Sequence, residues 1–75
     1  MEKIMADKLE PRERIAKRVR AAMKRLGWSQ AELSRRSGLT PVDVSRCARG
    51  DHLLGYEKLD AIAKAIGTTV EKLRR

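Results

Sequence analysis

Apolar positions along the chain recur at helical spacing, and no alternating run of the kind a strand needs is present. Ile15, Val19, Ala22, Met23 and Leu26 fall on one stripe, with Lys17, Arg18, Arg20, Lys24 and Arg25 off it. This predicts a first helix over Pro11–Leu26. Shorter segments follow: Gln30–Ser37, Pro41–Arg49, a fourth helix from near Gly55 to before Gly67 with Leu59, Ile62, Ala63 and Ile66 inward, and a last turn or two over residues 70–73. Gly27, Gly38, Gly50 and Gly67 each close such a segment, where a left-handed residue ends a helix. A hydroxyl residue follows three of them, ready to cap the next helix: Ser29, Thr40, and Thr68 or Thr69. Ser29-Gln30-Ala31-Glu32 fits a capping box, with Trp28 and Leu33 as its hydrophobic staple. Thr40, Pro41 and Asp43 repeat the logic as cap, first helical residue and first-turn acid, with Leu39 and Val44 as the second staple.

The expected fold is therefore all-α, five helices in one compact domain. Residues 11–75 would form that domain, and residues 1–10 an arm or a single amphipathic turn on Ile4, Met5 and Leu9. At 75 residues there is no room for a second domain. Five short helices leave little core per helix, so dimerisation would help. Of Leu53 and Leu54, one is expected to plug the core and the other to meet a second subunit.

Composition narrows the function. Lys+Arg 18 against Asp+Glu 10 gives a net charge of +8, which suits a polyanionic partner. One cysteine excludes an intrachain disulfide, and a lone His with a lone Cys cannot build a zinc site. No metal or cofactor is expected. No apolar run approaches the ~20 residues of a membrane span, so no membrane is expected and the cytoplasm is the expected compartment. No catalytic constellation and no phosphate-cradling glycine loop is present, so an enzyme is not expected. Cys47 reads as a small core residue, and two aromatics, Trp28 and Tyr56, are too few for a single-strand stacking platform.

Residues 30–49 have the layout of a helix-turn-helix. Leu33 and Ser37 face inward, Ser34 is small where the helices approach, Gly38 makes the turn, and Leu39, Val44 and Cys47 complete the buried side. The opposite face of the second helix carries Val42, Ser45, Arg46 and Arg49, at i, i+3, i+4 and i+7. That face could enter a DNA major groove. Arg46 is the best candidate base reader, through a bidentate pair with guanine, and Val42 could pack on a thymine methyl. Gln30 stands at a helix N-terminus that already attracts anions, and Arg35 and Arg36 could add phosphate contacts.

The run from Trp28 to Ser34, then Gly38-Leu39-Thr40, Val44-Ser45-Arg46 and Arg49-Gly50, resembles the helix-turn-helix of the phage repressor and Cro family. Residues 59–67 are similar to the fourth helix of that family, and the likeness spans roughly residues 15–73. It implies a five-helix, lambda-repressor-like domain that binds an operator in double-stranded DNA as a homodimer and controls transcription; with two recognition helices in successive major grooves, a pseudo-palindromic operator and a repressor are expected. By residue, it implies phosphate contacts from Gln30 and Thr40, and base-facing positions at Pro41, Val42, Ser45 and Arg46.

The chain departs from that family at two places. Met23 and Ala48 stand where relatives often carry a buried Arg–Glu pair, and Asp51 and His52 where they often carry Lys or Arg. The loss of both pair members together is compatible with the fold, since apolar packing can replace a buried ion pair. The rival reading is an antitoxin-like module whose main partner is another protein. Polymerase or a toxin is the possible protein partner.

Overall fold

The computed structural model describes residues 11–51 and 53–75. Among them the order is α1 (Pro11–Leu26), α2 (Gln30–Ser37), α3 (Pro41–Arg49), α4 (Tyr56–Ile66) and α5 (Val70–Arg74), with no strand. The arm expected over residues 1–10, and His52, lie outside the described residues.

Local chemistry sets the helix starts. Ser29 Oγ accepts from the Glu32 amide at 3.2 Å, Thr40 Oγ1 from the Asp43 amide at 3.1 Å, and Thr69 Oγ1 from the Lys72 amide at 3.2 Å. Each bond satisfies an amide that has no partner inside its helix. Of the two candidates for the last cap, Thr69 takes the role. The Glu32 carboxylate does not close the capping box; it takes the guanidinium groups of Arg35 and Arg36. Gly55 precedes α4 without any side-chain cap.

The core gathers around α1. Ile15, Val19, Leu33, Val44 and Ile62 are fully buried, each contributing about 1.5–3 kcal/mol by leaving water. Trp28 and Leu39 close over the same cluster, as the two staples require. Leu54 is the plug, 6% exposed, and Leu53 stands out at 47%. Leu26 departs from the expected stripe: it is 37% exposed. It occupies the last position of α1, where the chain leaves the helix axis at Gly27, and Trp28 returns to the core in its place.

Ala16 was not on the expected stripe, yet it is buried. Gly50 explains it. This residue ends α3 with φ +75°, and a Cβ on it would meet Ala16 Cβ at 3.3 Å and Arg12 O at 3.6 Å. The left-handed turn and the close approach of α1 both call for glycine here.

Candidate nucleic-acid interface

The two helices of the helix-turn-helix are fixed to each other by polar as well as apolar contacts. Ser34, buried, donates its hydroxyl to the Leu39 carbonyl at 2.5 Å, and the Leu39 amide donates to Ser37 Oγ at 3.3 Å. The connecting turn, whose backbone groups have no helical partners, is thereby pinned from within α2. Ser34 is thus more than a small residue at a close approach: its hydroxyl holds the turn that aims α3.

This arrangement brings Gln30, at the first position of α2, beside Pro41, Val42, Ser45 and Arg49 of α3. Together the five line one open depression. Val42 is 57% exposed there, a large apolar side chain held toward solvent by a helix whose other face carries buried Val44, Cys47 and Ala48. Proline at the first turn of α3 costs no hydrogen bond and keeps the helix start rigid. The face offers an apolar group, a hydroxyl, an amide and a guanidinium, which is the inventory that base edges and phosphates accept.

Three other candidates lie apart from that depression. Arg46 is exposed about 40° around α3 from Val42 and lines a neighbouring groove with Asp43 and residues 54–58. Thr40 uses its hydroxyl to cap α3. Arg36 lies over the Trp28 ring at 4.6 Å from its centroid, and its Nε pairs with Glu32. Those contacts, led by Arg36 and then Arg35, hold the Glu32 carboxyl below the usual carboxylate range. A phosphate that engaged Arg36 would have to compete with Glu32.

Acidic residues near this face are neutralised. Asp43 meets Lys58 of α4 at 3.2 Å, with its side chain only 16% exposed, and Arg49 meets Asp51 at 2.8 Å. Asp43 therefore does not hold Arg46, which sits one turn later on the same helix. Its ion pair instead ties α3 to α4. Neither Lys58 nor Arg20, which donates to the Ala48 carbonyl, was singled out by the sequence pattern, because both act across long separations. Cys47 is buried, as a core residue should be.

Among the described residues no group of three His, Cys, Asp or Glu side chains could hold a metal ion, and no helix is long and apolar enough to cross a membrane. No curated protein and no solved structure matches the chain. A family model described as helix-turn-helix matches residues 19–73, from the middle of α1 into α5. With its five-helix order and no strand among the described residues, the chain belongs to the helix-turn-helix family of phage repressor and Cro type, a family of DNA-binding regulators of transcription rather than of enzymes.

Proposed function

We propose that residues 11–75 form the DNA-binding unit of a dimeric transcriptional repressor that acts in the cytoplasm. The observation that carries this reading is the convergence of Gln30 with Pro41, Val42, Ser45 and Arg49 on one open face. In this reading α3 enters the major groove. Pro41, Val42, Ser45 and Arg46 face the bases, while Gln30, Thr40, Arg36 and Arg49 hold the phosphates on either side. Arg46 reads guanine and Val42 meets a thymine methyl.

Two copies would set their α3 helices in successive major grooves about 34 Å apart, so the operator is a pseudo-palindrome. Exposed Leu53, next to the buried plug Leu54, supplies an apolar contact for the second copy. Repression follows from occlusion of a promoter.

Selection from random duplexes, followed by sequencing, tests the reading. An enriched palindrome supports it. A chain that enriches no sequence, and instead binds one cellular protein tightly, would be an antitoxin-like interaction module.

A further inference from the structure

Carboxylates are unevenly shared among the basic side chains. Glu32 meets Arg35 and Arg36, Asp51 meets Arg49, Asp43 meets Lys58, and Asp60 meets Lys64. Arg18, Arg25, Lys72 and Arg75 meet no carboxylate among the described residues. These four line one groove of about 370 Å³ where α5 and the turn before it lie against α1. No acidic residue lines it. A concave site walled by one sign of charge concentrates its field and draws in the opposite charge. Arg18 and Arg25 are two helical turns apart on one side of α1, about 10.5 Å along the axis.

Ile66 and Leu73 close the floor of the groove and are themselves buried, 7% and 3% exposed, so the surface a ligand meets is that of the basic side chains. The groove shares no residue with the depression formed by Gln30 and α3, and α5 packs on α1 and α4. A ligand here would leave the helix-turn-helix face free.

We propose that this groove docks an acidic segment of a partner protein. Its carboxylates meet the guanidinium forks of Arg18 and Arg25 and the ammonium of Lys72. A duplex is too wide to enter a groove of this size. The regulator would thus hold DNA with one face and an acidic partner with the other. The inference goes beyond DNA binding and does not rest on it.

The test is fluorescence anisotropy with the full chain and a labelled peptide made of Asp, Glu, Leu and Ala, beside a labelled random duplex. Arg18→Glu with Arg25→Glu should weaken the peptide about tenfold or more. Arg12→Glu with Lys24→Glu is the control: it makes the same change in charge on exposed positions of the same helix, outside the groove. It should cost less than about threefold, as screened long-range charge does. Lys72→Gln should weaken the peptide as well, with a smaller perturbation of α1, and saturating the protein with duplex should leave peptide binding in place. Equal losses for the two double variants would reduce the site to a general positive field and overturn the proposal. So would failure of the parent chain to bind the peptide. A loss confined to the random duplex would make phosphate the occupant and overturn it too.

Discussion

Nη1 of Arg20 donates to the carbonyl oxygen of Ala48 at 2.5 Å, across 28 residues of sequence. The amides of Gly50 and Asp51 take the carbonyls of Arg46 and Cys47, and the guanidinium of α1 takes the one that follows. A cation at this end of α3 also opposes the negative end of the helix dipole. The bond therefore ties α3 to α1 close to where relatives often place a buried ion pair. Arg20→Ala should lower the unfolding free energy by about 1–2 kcal/mol in urea titrations, with Arg20→Lys falling between it and the parent. An unchanged midpoint for Arg20→Ala would mean that the contact contributes nothing.

Met23 and Ala48, 8% and 2% exposed, fill the positions of that pair with apolar atoms. Met23→Arg alone should bury a guanidinium without a carboxylate and cost on the order of 3 kcal/mol. Adding Ala48→Glu should recover part of the loss. Thermal melts of the single and double variants decide: a single variant that melts like the parent shows that the site opens to water.

Short-range chemistry made most of the fold legible. The caps at Ser29 and Thr40 and the glycines at positions 27, 38 and 50 set the end of α1 and both limits of α2 and α3, because each of these ends is decided within four residues. Only the last cap stayed open, since Thr68 and Thr69 are chemically alike and their difference lies in backbone path. Contacts across the fold were not legible. The Asp43–Lys58 and Arg20–Ala48 contacts depend on which helices become neighbours, and no periodicity encodes that. For the candidate interface, spacing puts Val42, Ser45, Arg46 and Arg49 on one face, and all of these but Arg46 line the depression. Their meeting with Gln30 depends on the turn that Ser34 holds.

Gly50 and Gly38 have almost the same backbone, φ +75° and +77°, but different surroundings. A Cβ at Gly38 meets nothing within 4 Å, whereas one at Gly50 meets Ala16 at 3.3 Å. Gly38→Ala should cost about 1 kcal/mol for its positive φ alone. Gly50→Ala should cost more, because α1 must also move aside. Equal losses in denaturant titrations would show that α1 gives way freely at Ala16.

Burial pushes the Cys47 thiol up to about 11. The native state therefore prefers the protonated thiol. The stability this gives is fully present below the ordinary thiol value, about 9, and is lost as pH rises from there through the folded value. The stability difference between the parent and Cys47→Ala should be constant at neutral pH and shrink in alkali. Iodoacetamide should label Cys47 slowly in the native protein and rapidly in urea; fast native labelling at neutral pH would contradict its burial.

Comparing Arg46→Ala with Gln30→Ala decides whether the exposed side of α3 reads base sequence. Fluorescence anisotropy is measured on the selected operator and on a scrambled duplex at several salt concentrations. Arg46→Ala should cost about 1–3 kcal/mol on the operator, relax the choice at one base pair per half-site, and cost less on the scrambled duplex. Gln30→Ala should weaken both duplexes alike and leave the salt dependence nearly unchanged, since no charge is lost. Equal losses on the two duplexes for Arg46→Ala would mean that Arg46 holds only the backbone and that α3 reads no base through it.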